Sequence, residues 1–274
     1  MYLCPFVFLV AIRVILYKKD GIMKKILAAL ILAFYCTTAF SLSSSACDEY
    51  NWYIKKRGHS TPEFPKIAES IEQYSAYYVG KSDVDKKIYL TFDAGYENGN
   101  VEKILNVLSD EDVPAAFFLL DHIIIENTDL VMRMANEGHL VCNHTKNHKN
   151  LSSESEEVIK RDISALEDIY RQKCGLEMSK YFRFPEGKFS VEALKTVSSM
   201  GYKTIFWSFA YCDWDNSCQP SREKALKNII DNTHPGAIIL LHPTSSTNAE
   251  IMPELISIWR SKGYSFGTLD ELTK

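Results

Sequence analysis

Three short stretches of the chain carry residues whose types and spacing suit hydrolysis. Asp93 ends the run Lys87-Ile88-Tyr89-Leu90-Thr91-Phe92, two imidazoles stand four apart in His144-Thr145-Lys146-Asn147-His148, and a late imidazole follows Leu240-Leu241 at His242. A carboxylate to activate water, a histidine pair to hold a cation and a further histidine to protonate a leaving group are the parts of a metal-assisted hydrolase. Each is weak alone, because aspartates commonly end strands and a lone histidine at a strand end is more often a hydrogen-bonded structural residue. The H-x-x-x-H spacing brings both imidazoles to one cation across a helical turn or a compact loop. Catalytic zinc usually has three protein ligands plus water, and the third is the weak point here.

Arg183-Phe184-Pro185-Glu186-Gly187 adds a guanidinium able to hold a carboxylate by a bidentate fork, and backbone N–H groups at Glu186 or Gly187 that can face a developing oxyanion. Read blandly, it is a surface arginine before a Pro-Gly turn. Trp207 and Asp213-Trp214 offer a wall for sugar stacking, although an aromatic in a strand is more often core.

These residues need a scaffold that brings them together, and the hydrophobic pattern supplies one. Strands are expected at Ile88 to Phe92, Ala115 to Leu120, Leu140 to Asn143, Tyr181 to Phe184, Thr204 to Phe209, Ala237 to Leu241 and near Tyr264 to Thr268. Between them lie helical patterns at Val101 to Ser109, Thr128 to Glu137, Ser155 to Lys173, Val191 to Met200, Arg222 to Asn232 and Glu250 to Lys262. Ser190 reads as an N-cap, and Gly138, Gly175, Gly201 and Gly263 as glycines closing helices. Strict alternation forces parallel pairing, and strands apolar on both faces must be covered on both sides, as in a barrel or a doubly wound sheet. In such α/β folds ligands gather at the carboxyl ends of the strands, where Asp93, His144, Arg183, Asp213 and His242 all fall.

The 274 residues are 46% hydrophobic, enough for one sizeable core or two small ones. Two apolar stretches, Tyr2 to Tyr17 and Ile26 to Phe40, open the chain. The second reads as a signal peptide, with Lys24 and Lys25 before it, Ser44-Ser45-Ala46 as cleavage site and Met23 as a physiological start; one uncleaved anchor is the other reading. Cys47 after the cleavage site raises lipidation, against which Ser44 is a poor match. Without residues 1–46 the chain keeps 26 basic and 34 acidic side chains, a net charge of −8. That balance leaves no basic stripe for phosphates and argues against nucleic acid. Outside the cytosol Cys212 and Cys218 are close enough in sequence to bridge a small loop. Residues 48–84 are aromatic and Pro-punctuated, an extension expected to wrap the main domain.

In order, Thr91-Phe92-Asp93, His144 to His148, Arg183 to Gly187, Asp213-Trp214 and Leu241-His242 resemble the five motifs of the polysaccharide deacetylase family, carbohydrate esterase family 4 with its NodB-like domain, over about residues 86 to 272. Gly95-Tyr96-Glu97-Asn98-Gly99, Phe206-Trp207-Ser208 with Ala210, and Trp52 with Lys55-Lys56 are similar to its PdaA-like branch, which makes muramic δ-lactam in spore cortex. The resemblance implies a distorted, incomplete (β/α)7 barrel with an N-terminal extension, divided as 1–46 signal region, 47–85 extension and 86–274 catalytic domain. It implies de-N-acetylation of N-acetylmuramoyl residues whose peptide an amidase has removed. Asp93 would be the general base, His242 the general acid, Arg183 the residue holding base or substrate, and His144 with His148 the ligands of a divalent metal, zinc first. Tyr96, Asn98, Glu186, Gly187, Trp207, Asp213, Trp214 and Leu241 would surround the substrate. The partner would be a peptidoglycan strand outside the cytoplasmic membrane, in the cell wall or the forespore intermembrane space, with membrane contact only through an uncleaved N-terminal segment.

Departures qualify the resemblance. Ala94 stands where the family carries a ligand aspartate, Pro243 and Ala210 replace acidic residues, and Glu186 occupies a turn where the branch tends to have arginine. Two other readings are deacetylation of N-acetylglucosamine in chitin-like chains or peptidoglycan, and a non-catalytic glycan-binding protein that lost its metal with the ligand at position 94.

Overall fold

The computed structural model describes residues 48–81 and 86–274; the signal-like region 1–46 and Cys47 lie outside the described residues. The strands are β1 (Tyr50–Asn51), β2 (Lys55–Arg57), β3 (Ser60–Glu63), β4 (Ala76–Tyr77), β5 (Lys87–Ala94), β6 (Ala115–Leu119), β7 (Leu140–Asn143), β8 (Ser179–Phe182), β9 (Lys188–Phe189), β10 (Lys203–Ile205), β11 (Ile238–Leu241) and β12 (Ser265–Phe266). The main sheet runs β11-β5-β6-β7-β8-β10-β4, with every neighbouring pair parallel. It curls into the expected distorted barrel. Ser208 and Phe209, just past β10, hydrogen-bond across to Ile238 and bring the two ends of the sheet together.

The strand count differs from the sequence expectation. The segment near Tyr264 to Thr268 forms only the two-residue β12, paired to the start of β5 as a side branch. The seventh place in the path goes to β4, which comes from the N-terminal extension and pairs with β10 through Ala76 and Thr204. The chain then crosses to β11, where Gly80 N–H donates to Gly236 O at 2.7 Å. A Cβ on Gly236 would lie 2.6 Å from the carbonyl oxygen of Gly80, and its φ is +74°, so glycine is required there.

A strand's period of two sorts its side chains between layers. Along β5, Ile88, Leu90, Phe92 and Ala94 pack outward beneath the helices, while Tyr89 joins Ala116, Phe118, Cys142, Tyr181, Ile205 and Ile238 inside the barrel. Thr91 and Asp93 share the inner face with Tyr89, so the carboxylate emerges at the top of the barrel directly above its packed interior.

The predicted helices are present, most shifted by a residue or so, with Ser190 accepting from Ala193 N–H as an N-cap. The helix after β11 is the exception. It begins at Ser246 rather than Glu250, because Ser245 caps it by accepting from Asn248 N–H at 3.0 Å. Ser246-Thr247-Asn248 reads as loop in sequence, yet tertiary partners absorb its polar atoms: Thr247 Oγ1 donates to Pro220 O.

Candidate active site

At the carboxyl end of the barrel lies a cleft of about 710 Å³. Asp93, Tyr96, His144, His148, Glu186, Trp207, Trp214 and His242 line it. Residues drawn from well-separated parts of the sequence therefore meet at one place.

Asp93 stands on the inner face of β5 and meets Arg183, which follows β8. Arg183 Nη1 donates to Asp93 Oδ1 at 2.7 Å, Nη2 to Thr91 Oγ1 at 2.9 Å and Nε to Ile205 O at 2.9 Å. Its guanidinium lies 4.1 Å over the Phe118 ring and has no exposed surface. Arg183 thus holds Asp93 and does not reach substrate. Burial alone would raise the Asp93 carboxyl, but the charge and hydrogen bond of Arg183, aided by the His144 and His242 imidazoles when they are protonated, outweigh it and keep the group below its ordinary value.

His144 Nδ1 donates to Arg183 O at 2.8 Å, which leaves Nε2 as the lone-pair nitrogen, 3.4 Å from Asp93 Oδ2. Burial pushes the imidazole down to about 4, against the pull of Asp93, so it is neutral at physiological pH. Two acceptors facing each other with no proton between them suit a shared cation. Two ligands of one tetrahedral zinc, each about 2.0–2.1 Å from the metal, stand about 3.4 Å apart. The His148 ring lies 5.0 Å from that of His144, at 72° to it, on a loop rather than a helical turn. Among the described residues no group of three or more His, Cys, Asp or Glu is disposed to hold a metal. With Ala94 on the cleft wall, the donors on offer are the two imidazoles with Asp93 beside them. Thr145 and His148, and Glu186 across the cleft, have φ of 70°, 60° and 57°, a left-handed backbone that non-glycine residues adopt only where packing enforces it.

His242 faces the cleft with Asp213 behind it. Its backbone N–H and Nδ1 lie 2.8 Å from Asp213 Oδ2 and Oδ1, and Asn248 Nδ2 donates to the same Oδ2 at 2.6 Å and to His242 O at 3.1 Å. Tyr211 in turn donates to Asn248 Oδ1. Burial alone would lower the imidazole, but its hydrogen bond to Asp213 and the negative charges of Asp213 and Asp93 more than offset that, and it is raised.

Several residues expected to touch substrate are placed elsewhere. Asp213 is fully buried, with its oxygens taken by His242 and Asn248. Leu241 packs outward into the helical layer and its neighbour Leu240 lines the cleft, because strand alternation puts Leu240 on the side of His242. Gly187 N–H donates to Phe184 O, so that amide does not face an oxyanion, and the residue is buried against Trp207 and Trp52. Asn98 donates to Thr244 O at 2.8 Å and fixes a cleft-lining residue without lining it. Leu240 was recoverable from the period of two. Asn248 had no local signal, since its role depends on a partner 35 residues away. Cys212 and Cys218 are free and exposed, so the small-loop bridge is not formed.

Residues 80–205 match the family described as Polysaccharide deacetylase. Over 224 residues the chain is 37% identical to the peptidoglycan-N-acetylmuramic acid deacetylase PdaA of Bacillus subtilis (strain 168), covering 81% of this chain and 85% of that one. It is 40% identical over 252 residues to an uncharacterized 30.6 kDa protein in the fumA 3' region of Geobacillus stearothermophilus, covering 90% and 94%. The solved structure of Bacillus subtilis PdaA, a family 4 carbohydrate esterase, aligns with a TM-score of 0.78 at 36% identity over 82% of this chain and 97% of that chain.

Proposed function

The chain belongs to the polysaccharide deacetylase family and is a deacetylase hydrolase, and from that premise we propose that it removes the acetyl group from N-acetylmuramoyl residues of peptide-stripped peptidoglycan. The freed amine then closes on the lactyl carboxylate as a δ-lactam, with loss of water. One observation carries the reading: an anionic Asp93 held on Arg183 and a His242 made more basic by Asp213 line the same cleft.

Asp93 takes the proton of a water that attacks the amide carbonyl. His242 gives its proton to the nitrogen as the C–N bond breaks, and the carboxylate of Asp213 stabilises the charged ring until then. Leu240, Trp207 and the exposed Trp214 offer apolar surface to the acetyl group and sugar. His144 and His148 would hold a divalent metal, zinc first, with solvent or substrate completing its shell; when bound, it lowers the pKa of water and polarises the carbonyl.

The muramoyl substrate draws support from the relative named as a peptidoglycan-N-acetylmuramic acid deacetylase; the action after an amidase, the δ-lactam and the spore-cortex setting rest on the residues that resemble that branch. Export draws support from the signal-like residues 1–46. A second reading, deacetylation of N-acetylglucosamine, is favoured by the Glu186 carboxylate on the cleft wall, which opposes an anionic substituent.

The test is mass spectrometry of peptide-free and peptide-bearing peptidoglycan after incubation with the purified protein and zinc. Loss of an acetyl group and then of water, from stripped muramoyl residues only, is expected. Loss from N-acetylglucosamine alone, or none under zinc, cobalt or manganese, overturns the reading.

A further inference from the structure

One wall of the cleft is a turn that the N-terminal extension holds in place. Gly187 O accepts from Trp52 N–H at 2.8 Å, the indole Nε1 of Trp52 donates to Trp207 O at 2.9 Å, and a Cβ on Gly187 would come within 2.8 Å of both tryptophans. Lys188 opens β9, which pairs antiparallel with β1 through Asn51. Between Pro185 and Gly187, Glu186 sits at φ 57°, ψ 7° and lines the cleft. A left-handed glutamate enforced by packing at a cleft is the kind of outlier that points to function. Its Oε2 meets Lys188 Nζ at 2.6 Å.

Neither lysine nor arginine is among the residues lining the cleft. Two cations are ion-paired to carboxylates that do line it, Arg183 to Asp93 and Lys188 to Glu186. Arg183 has no exposed side-chain surface and its donors are committed, whereas Lys188 is 33% exposed and Glu186 57%. An ion pair this open to water is weakly held, since solvent serves both ends nearly as well. Lys188 can therefore exchange one carboxylate for another while β9 keeps its backbone in place.

We propose that Lys188 is the specificity-determining cation for the lactyl carboxylate of a muramoyl residue, and that Glu186 is its resting counter-ion, displaced into solvent as the substrate's carboxylate takes its place. The inference rests on the muramoyl reading above and gives a physical reason for its need of stripped stems. A lactyl group still in amide linkage to peptide has no charge with which to displace Glu186.

The experiment is calorimetric binding of N-acetylglucosaminyl-N-acetylmuramic acid and of its lactyl methyl ester to the full chain, as wild type, Lys188→Gln and Glu186→Gln. The wild type is expected to prefer the free acid by about two- to fivefold, the size of a solvent-exposed charge pair. Lys188→Gln should abolish the preference and Glu186→Gln should widen it, with unchanged melting temperatures confirming intact folds. A wild type without preference, or a Lys188→Gln protein that keeps it, overturns the assignment. A protein that discriminates through Lys188 yet releases no acetate would overturn the reaction and leave the assignment standing.

Discussion

His242 and Asp213 meet at two points, the ring Nδ1 and the backbone N–H of the histidine each 2.8 Å from one oxygen of the aspartate. The double contact fixes ring orientation and keeps a proton on Nδ1, so Nε2 faces the cleft and carries the transferable proton in the imidazolium form.

Asp213→Asn removes the charge that offsets burial, and the His242 pKa falls. Less of the ring is protonated at neutral pH, and acetate release drops by roughly 10²-fold or more. The upper limb of the pH–rate profile moves to lower pH, which NMR titration of the ring follows independently. An unmoved titration would defeat the assignment. Stability follows the same linkage: because the folded pKa is raised, the contribution of the pair is complete below the unfolded value of about 6.5 and is lost as pH rises through the folded one. The variant should lose that pH dependence.

Arg183→Met leaves the Asp93 carboxylate without its counter-charge in a nearly closed site. Unfolding in urea should show a loss of about 3–5 kcal/mol, the usual cost of an uncompensated buried charge. The Asp93 carboxyl should rise as burial goes unopposed, weakening catalysis at mildly acidic pH first. Arg183→Lys keeps the charge but cannot serve Asp93, Thr91 and Ile205 O at once, and should recover part of the stability only.

His144→Ala or His148→Ala should lower the zinc retained per chain after dialysis, read by elemental analysis, and acetate release should fall in parallel. Chelator treatment of the wild type should be reversible on adding metal. Unchanged zinc content in both variants would remove these imidazoles as ligands.

Leu240 and Leu241 separate cleft from core. Leu241→Ala should cost about 2–5 kcal/mol of stability, as a buried truncation does, with a near-normal KM in the protein that remains folded. Leu240→Ala should raise KM more than it lowers stability. Equal behaviour in denaturation and kinetics would contradict the observed strand facing.

The strand and helix alternation, the strand-end positions of Asp93, His144, Arg183 and His242, and the H-x-x-x-H loop were all legible in the chain itself. Local sterics and the periods of apolar residues depend only on near neighbours, so sequence by itself determined the parallel α/β class and the edge at which the chemistry gathers. Tertiary structure alone decided the rest. It placed β4 of the extension in the barrel, turned Asp213 away from substrate to hold His242, brought in Asn248, and sealed Arg183 behind Asp93. Those relations join residues 29 to about 130 positions apart, and they follow from the register and curl of a sheet whose neighbours in space are not neighbours in the chain.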